Sequence, residues 1–226
     1  MCFRSDIVDQ LHRGVPLRLT VFGGTGPTGL LFVDQALHQD HEVVAFARAP
    51  SQLPQHQRLS MVLGTLDDAA GISRAILDSD AVVSLLGPGT NTADIPPLIT
   101  GTRNIVAAMH EQSVQRLVAV GTPSIHDPAD GKDWKIHLLV ALIKCFQPAA
   151  YEAIVTIGGV VRESGLDWTI VRLPFLTNGP RTDGVNARQV GHRGGLRLSR
   201  ANAAAFLLDQ VTSTAYLHRA PFVTDK

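Results

Sequence analysis

A glycine-dense turn near the start of the chain has the spacing of a phosphate-binding loop. Gly23, Gly26 and Gly29 form the pattern G-x-x-G-x-x-G, and Gly24 with the last two forms G-x-G-x-x-G. Glycines at these positions let the backbone turn sharply, approach a pyrophosphate closely and pack the next helix against the preceding strand. An apolar run precedes the turn and the amphipathic stretch Leu30–Leu37 follows it, so free N–H groups at a helix start would face the anion. The pattern predicts dinucleotide binding rather than a turn that serves the fold alone.

The rest of the chain alternates between short β-branched runs and stretches with helical spacing of apolar residues. The predicted strands after the first are Glu42–Ala47, Leu59–Leu63, Ala81–Leu85, Arg116–Val120 and Trp168–Arg172. The predicted helices between them are Ala69–Leu77, Leu98–Glu111 and Tyr151–Glu163. Alternation of this kind predicts an α/β fold, a Rossmann-type doubly wound parallel sheet with right-handed crossovers. Ligands of such sheets bind outside the carboxyl ends of the strands, so the residues that follow each strand are the candidates for chemistry.

The second predicted strand is followed by Arg48 and has no carboxylate at its end, since Glu42 stands at its beginning. A carboxylate at this point binds the ribose 2′-hydroxyl of NADH, whereas an arginine suits the 2′-phosphate of NADPH through charge-assisted hydrogen bonds. The sequence therefore favours NADPH over NADH. The alternative is that Arg48 is a solvated charge of a surface loop.

The turn after the third strand contains candidates for the adenine site. Thr65 and Asp67 are placed to meet the exocyclic amine of the base, and Leu66 is placed to cover one of its faces. The alternative for Asp67, and for Asp68 beside it, is a role at the start of the next helix, where acidic residues satisfy free N–H groups.

Two later turns would complete the same site. After the fourth strand, Gly87 would let the backbone pass close to the ribose and diphosphate, although an ordinary turn also uses glycine there. After the fifth strand, the hydroxyls of Thr122 and Ser124 stand where a nicotinamide is expected.

With these motifs in this order, the chain resembles the atypical short-chain dehydrogenases/reductases, in the NAD(P)H-binding NmrA-like group. The resemblance covers nearly all of the chain after residue 16. It rests on Gly23–Gly29, Gly101–Ala108, Ser164–Arg172 and the strand-helix element that starts at Leu198. It implies an NADPH site whose residues would be Gly23, Thr25, Gly26, Pro27, Thr28, Gly29, Arg48, Thr65, Leu66, Leu86, Gly87 and Thr122.

The chain departs from the family in its acid-base residues. Typical short-chain dehydrogenases use a serine with Tyr-x-x-x-Lys, in which the tyrosine donates the proton and the lysine lowers the tyrosine pKa. Here Tyr151 is followed four positions later by Val155, and no Tyr-x-x-x-Lys occurs anywhere. Thr122 stands where a flavin reductase of the group has a serine, and it can hydrogen-bond a carbonyl but is a poor unaided proton donor. The predicted replacement acid is His126, because histidine is the side chain best suited to proton transfer near neutral pH. The alternative for His126 is a surface residue of the loop. Other candidates are Tyr151, Asp127, Lys132 and Lys135.

Two segments, residues 127–147 and 175–197, are expected to stand over the nicotinamide end and to form a small substrate-binding portion of the fold. Trp134, Phe175 and Leu176 would offer apolar or stacking surface to a planar or hydrophobic substrate. The alternative for all three is packing in the core. No two histidines share one helix face in the way that zinc requires, so no metal site is predicted.

Composition limits the class of protein. The 226 residues are 45% hydrophobic and 18% charged, which fits one globular domain, residues 17–226, after an N-terminal extension, residues 1–16. The extension lacks the apolar core of a signal peptide, and Cys2 and Cys145 have no metal-binding spacing, so we expect a reducing, cytoplasmic location. The 20 basic and 20 acidic residues give zero net charge, which predicts a small-molecule partner rather than nucleic acid or a membrane. Nothing indicates the oligomeric state.

These observations predict an NADPH-dependent oxidoreductase that transfers hydride to a small conjugated or aromatic acceptor. Positioning of the acceptor over the cofactor would supply most of the acceleration. Two alternatives remain open. A non-catalytic NAD(P)-sensing regulatory protein, as NmrA-like proteins can be, is favoured by the missing Tyr-x-x-x-Lys. A biosynthetic isomerase or cyclase would keep the fold without transferring hydride.

Overall fold

The computed structural model describes residues 15–49, 53–88, 95–182, 184–191 and 195–226. The strands in this part of the chain are β1 (Arg18–Phe22), β2 (Glu42–Ala47), β3 (Leu59–Leu63), β4 (Ala81–Ser84), β5 (Arg116–Gly121), β6 (Asp167–Arg172), β7 (Phe175–Thr177), β8 (Val185–Arg188), β9 (Arg197–Ser199) and β10 (Phe222–Asp225). The helices are α1 (Pro27–His38), α2 (Ala69–Ile76), α3 (Ile95–Glu111), α4 (Trp134–Phe146), α5 (Pro148–Arg162) and α6 (Arg200–Thr212).

Eight of these strands form one sheet in the order β3-β2-β1-β4-β5-β6-β10-β8. All neighbours in it are parallel except β8, which runs antiparallel to β10 at the edge. The strands β7 and β9 pair separately. The chain starts at β1, moves outward to β3 and then crosses to β4, so the strand order reverses between β1 and β4. A crevice at the carboxyl ends of two such strands is the usual ligand site of an open α/β sheet.

Side chains that alternate along β1 enter two cores on opposite faces of the sheet. Leu19 and Val21 pack with Phe32 of α1 and Leu207 of α6, whereas Phe22 belongs to the core covered by α2, α3 and α5. All five residues are fully buried. A parallel strand with helices on both faces is apolar along nearly its whole length for this reason.

The predicted fold class is confirmed, and each predicted strand and helix is present with ends that differ by at most three residues. For example, α3 begins at Ile95 rather than Leu98, and α5 at Pro148 rather than Tyr151. The strands β7, β8 and β10 and the helix α4 are not among the predicted elements. Strands β8 and β10 form through pairing with segments that are distant in the chain. The predicted N-terminal extension lies almost entirely outside the described residues.

No single helix in the described residues is long and apolar enough to cross a membrane. The helices α4 and α5 together reach that length and composition, but the chain bends by 116° between them.

Candidate functional site

The glycine turn after β1 forms a tight loop at the crevice. Gly23 has φ +79°, a conformation natural to glycine, and its carbonyl oxygen accepts a hydrogen bond from Gly26 N at 3.1 Å. A Cβ on Gly29 would lie 2.2 Å from the same carbonyl oxygen, so only glycine lets α1 start this close to the loop. A Cβ on Gly26 would meet its nearest heavy atom at 3.5 Å, an ordinary contact. The fold therefore needs a glycine at position 29 but not at position 26. A glycine at position 26 would instead allow a ligand to approach the backbone closely.

A first cavity, of about 440 Å³, lies over the carboxyl ends of β1, β2 and β3. Its walls come from the turns after four strands and from the start of α3. Many of the predicted cofactor residues meet here, and the lining comprises Phe22, Gly23, Thr25, Phe46, Ala47, Arg48, Thr65, Leu66, Asp67, Leu86, Gly87, Pro97 and Leu98.

Helix α3 holds Leu66 in the wall of the first cavity. Asn104 Nδ2 donates a hydrogen bond to the Leu66 carbonyl oxygen at 2.9 Å. A Cβ on Gly101 would lie 2.7 Å from Leu66 Cβ, so the helix and the turn can approach this closely only because residue 101 is glycine. The motif Gly101–Ala108, which in the sequence is only a marker of the family, thus positions a wall of the candidate site.

The two acidic residues after β3 have different surroundings. Asp68 caps the start of α2, since its carboxylate accepts a hydrogen bond from Gly71 N at 2.8 Å. Asp67 lines the first cavity, and hydrogen bonds from the Thr65 side chain and from its own backbone N–H hold the pKa of its carboxyl group below the usual value. Arg48 lies exposed in the same lining. The polar end of this cavity thus contains both an arginine and a carboxylate.

A second cavity, of about 280 Å³, shares Leu86 and Gly87 with the first, so the two adjoin and are together called the groove. A Cβ on Gly87 would meet no heavy atom within 4 Å, so this glycine leaves the junction open. The lining comprises Thr28, Leu85, Leu86, Gly87, Pro88, Val120, Gly121, Thr122, Ile125, Ile154, Ile157, Leu173, Pro174 and Leu176. Among the described residues, the side chains in this lining are apolar apart from two threonine hydroxyls, and none of them is titratable.

The groove fits a nicotinamide dinucleotide. Gly87 borders open space in its lining, and local packing requires a glycine neither there nor at position 26. One end offers hydrogen-bonding groups and charge, and the other is apolar, as the two ends of such a cofactor require. Gly23, Thr25, Gly26, Thr28 and Gly29 would border the pyrophosphate, and Arg48, Thr65 and Leu66 the adenosine.

Thr122 follows directly after β5 and lines the second cavity. Its hydroxyl oxygen accepts a hydrogen bond from Ser124 N at 3.3 Å, so the hydroxyl proton can still be donated to a ligand. Ser124 does not line the cavity; its hydroxyl is buried and has no hydrogen-bond partner among the described residues.

The other two predicted catalytic residues lie outside the lining of both cavities. His126 is exposed, and its carbonyl oxygen accepts a hydrogen bond from Arg162. Tyr151 is half-buried at the start of α5, with Lys144 Nζ 5.4 Å from the centre of its ring. Ile154, about one turn further along α5, lines the second cavity, and no lysine from this turn reaches it. Acid-base roles for His126 and Tyr151 stay predictions.

Of the three predicted substrate residues, the structure brings only Leu176 into the second cavity. Trp134 is 72% exposed at the start of α4, and Phe175 is 58% exposed at the start of β7. Neither lines a cavity, and neither packs in a core as the alternative required.

Sequence reasoning missed a buried ion pair that holds the loop between β5 and α4. Arg172, at the end of β6, donates from Nη1 and Nη2 to the two carboxylate oxygens of Asp130, at 2.6 and 2.7 Å. Its Nη1 also donates to the carbonyl oxygen of Ile125, at 3.0 Å. The Asp130 carboxylate in turn accepts hydrogen bonds from the backbone N–H groups of Asp127 and Val190. The pair therefore fixes the loop that carries Thr122.

The Asp130 carboxyl group remains ionised in this network. Burial by itself would raise its pKa, but the hydrogen bonds from Arg172, Asp127 N and Val190 N outweigh that effect and lower it. The only signal in the sequence is a charged residue at the end of an otherwise apolar strand, and it does not identify the partner 42 positions away.

Comparison with known proteins agrees with this geometry. A sequence model of the NAD(P)H-binding family matches residues 23–214. This chain belongs to the NAD(P)H-binding family. A 3-beta-hydroxysteroid dehydrogenase from Mycolicibacterium neoaurum is 32% identical over an alignment of 119 residues, which covers 48% of this chain and 32% of that protein. The chain thus matches about a third of the length of this curated relative.

Solved structures show the same fold. A short-chain dehydrogenase/reductase from Veillonella parvula in complex with NADP has a TM-score of 0.75 and 17% identity, covering 93% of this chain and 95% of that one. An anaerobillin reductase from Escherichia coli O157:H7 has a TM-score of 0.72 and 18% identity, covering 92% and 97%. The family model confirms the NAD(P)H-binding part of the predicted resemblance, and the solved structures confirm the predicted fold.

Proposed function

We propose that this family member is an NADPH-dependent reductase that transfers hydride to a small conjugated or aromatic acceptor. The observation that carries the proposal is the second cavity, which adjoins the first and whose described lining residues are apolar and carry no titratable side chain. An apolar pocket with one or two directed hydroxyls suits a flat acceptor with a single carbonyl or similar polar group.

The residues of the second cavity would position the acceptor and supply no proton. When bound, the reduced nicotinamide supplies the hydride. Thr122 would donate a hydrogen bond to the acceptor carbonyl, while Ile125, Ile157 and Leu176 would hold its plane against the cofactor and exclude water from its faces. Conjugated acceptors suit such a site, because hydride addition leaves a delocalised anion that solvent can protonate.

The same cavity argues against the two reactions that need a side-chain base. Oxidation of a hydroxyl group and migration of a double bond each require removal of a proton in the transition state, which histidine, carboxylate, lysine or tyrosine side chains usually perform. None of these lines the second cavity in the part of the chain that the structure describes. Reduction of a conjugated acceptor needs none of them.

The preference for NADPH rests on Arg48 in the lining of the first cavity. Its guanidinium group would bind the 2′-phosphate through two charge-assisted hydrogen bonds. The carboxylate of Asp67 is the competing feature, because it could accept a hydrogen bond from the ribose hydroxyl of NADH.

The test is consumption of NADPH and of NADH with a panel of flavins, quinones and enones, with product mass determined by mass spectrometry. A gain of two hydrogens with NADPH, and slower turnover with NADH, is expected. Leu176→Trp should fill the second cavity and reduce turnover. Phe175→Ala, next to it but outside the cavity, is the matched control and should not.

Two outcomes would overturn the proposal. Binding of NADP and NADPH without turnover of any acceptor would favour a dinucleotide sensor. A product of unchanged mass would favour an isomerase or cyclase.

A further inference from the structure

The side chain of Ile125 fills a slot between the end of β5 and helix α5. A Cβ on Gly121 would lie 2.6 Å from Ile125 Cδ1, and a Cβ on Gly158 would lie 3.0 Å from the same atom. The first distance is shorter than real Cβ atoms allow and the second leaves no slack, so the slot has room for Ile125 only because both neighbours are glycine. Ile125 is 3% exposed and also lines the second cavity. One wall of this cavity is therefore a tightly packed side chain.

The backbone of Ile125 is held at both of its polar groups. Its N–H donates a hydrogen bond to the Thr122 carbonyl oxygen at 3.0 Å, and its carbonyl oxygen accepts one from Arg172 Nη1 at 3.0 Å. Arg172 is in turn fixed by its two hydrogen bonds to the Asp130 carboxylate. A ligand that pushed Ile125 aside would have to break these bonds, so the wall is rigid.

The size of the second cavity limits what it can hold beside a cofactor. An apolar cavity of about 150 Å³ holds one benzene molecule, so the volume of about 280 Å³ corresponds to about two six-membered rings. Hydride transfer requires the nicotinamide ring and the acceptor to be in contact, so one of these two rings must belong to the cofactor. The described walls then leave space for one ring of the acceptor.

The lining of the second cavity also selects against charge. None of the described residues in it carries a charged side chain. A carboxylate or phosphate group that entered would lose its hydration without a basic side chain to pair with. An uncharged acceptor whose carbonyl oxygen meets the Thr122 hydroxyl fits this lining.

We propose that Ile125 limits the acceptor to an uncharged compound with a single conjugated ring, of the benzoquinone or cyclic enone class. The proposal rests on the reaction proposed above, because it takes the second cavity as the place of hydride transfer. A benzoquinone would accept the hydride with its two electrons and become the hydroquinone anion, the cofactor would be left oxidised, and a proton from solvent would complete the hydroquinone. Acceptors with fused rings, flavins among them, should be poor substrates.

The experiment compares methyl-benzoquinone with menadione, which carries the same methyl group on two fused rings. With NADPH, kcat/KM of the parent should be about tenfold or more higher for methyl-benzoquinone, because the second ring overfills the cavity. Ile125→Ala removes the three side-chain carbons nearest to Gly158 and should reduce this preference about tenfold. Ile125→Val removes Cδ1 alone, disturbs folding less and should have an intermediate effect. Thermal melting checks that both variants fold.

A second substitution tests whether the slot itself sets the limit. When Gly158→Ala is added to Ile125→Ala, the new Cβ occupies space that the isoleucine side chain has left, so the preference should move back toward that of the parent. Gly159→Ala is the matched control, because a Cβ on this next residue of α5 meets no heavy atom within 4 Å. Added to Ile125→Ala, it should leave the preference unchanged.

Binding without turnover separates the size limit from the reaction. Ligand-observed NMR titration of the NADP-loaded protein, which cannot donate hydride, compares acetophenone, with one ring, and acetonaphthone, with two. Acetonaphthone should bind about tenfold more tightly to Ile125→Ala than to the parent, whereas acetophenone should bind to both about equally. This result without consumption of NADPH by any acceptor would support the size limit and contradict the reductase.

Two results would overturn the proposal. Parent protein that uses menadione no less efficiently than methyl-benzoquinone shows that the cavity does not limit the acceptor to one ring. Folded Ile125→Ala that keeps the parent's preference, and its affinity for acetonaphthone, shows that Ile125 is not the residue that sets the limit.

Discussion

Arg172 and Asp130 form a bidentate ion pair whose side chains are 0% and 7% exposed, and this pair connects the end of β6 to the loop that follows β5. A guanidinium group and a carboxylate in this geometry satisfy each other's charge and direct two parallel hydrogen bonds. The loop they hold contains Ile125, which lines the second cavity, and begins at Thr122. An interaction remote from the cofactor groove thus sets the shape of the cavity where the acceptor would bind.

Asp130→Asn should destabilise the protein strongly. The substitution keeps the shape of the side chain but leaves the buried Arg172 guanidinium without a counter-charge, and removal of one partner of such a pair costs about 3–5 kcal/mol. Urea denaturation at pH 7 measures this loss in the free energy of unfolding. Arg74→Ala is the control, because it removes an exposed ion pair with Asp68 at 3.8 Å and should cost less than about 1 kcal/mol. Equal losses in the two variants would contradict the role assigned to the buried pair.

The contribution of Asp130 should also depend on pH. Its pKa in the folded chain lies below the ordinary value of 3.8, so the unfolded chain takes up this proton first as the pH falls. The stabilisation is fully present above the ordinary value and is lost as the pH falls through the lower, folded value. The difference in unfolding free energy between the parent and Asp130→Asn should therefore shrink below about pH 4. A difference that stays constant down to pH 2 would mean that this carboxyl group is not the source.

Gly87→Val should abolish binding of both cofactors without loss of stability. A Cβ at this position meets no heavy atom within 4 Å, so the fold should tolerate valine, but its methyl groups would fill the junction of the two cavities. Binding is measured by titration calorimetry with NADP and NAD, and stability by thermal melting. Gly159→Ala, whose Cβ also meets nothing within 4 Å but lies on α5 away from both cavities, is the control and should bind normally. Normal affinity in Gly87→Val would exclude this groove as the cofactor site.

Arg48→Gln should weaken the binding of NADPH about ten- to a hundredfold and the binding of NADH much less, because it removes the charge that would pair with the 2′-phosphate. Fluorescence titration of each reduced cofactor measures both affinities. Asp67→Asn is the complementary variant, since it removes the carboxylate from the same cavity. It should weaken the binding of NADH more than the binding of NADPH. Equal effects of Arg48→Gln on the two cofactors would contradict the assignment to the phosphate.

Thr122→Val should lower turnover and leave NADPH affinity largely unchanged. Valine nearly preserves the volume of threonine but deletes the hydroxyl, so a loss would report the hydrogen bond to the acceptor rather than packing. Thr122→Ser, which keeps the hydroxyl, should restore most of the rate. His126→Ala tests the other candidate: its ring is exposed outside the cavity, so the pH dependence of turnover should stay as in the parent. A flattened profile in His126→Ala would restore histidine as the proton donor.

Local patterns determined the fold class and the polar half of the groove. The spacing of Gly23, Gly26 and Gly29 and the alternation of apolar runs act over a few residues, and burial on both faces of a parallel sheet imposes the same pattern in any such fold. Arg48, Thr65 and Leu66 could be placed in one site because the carboxyl ends of parallel strands meet at one edge.

The tertiary structure alone decided which side chains reach the acceptor cavity and which face solvent. Trp134 and Phe175 are large and apolar, yet their orientation depends on how α4 and β7 pack on distant segments, and both lie exposed. Ile154 and Ile157 enter the second cavity because α5 lies against the end of β5. Arg172 pairs with Asp130, which lies 42 positions away in the chain. No local sequence pattern predicts this pair, because the contact exists only once β6 and the β5–α4 loop are both folded.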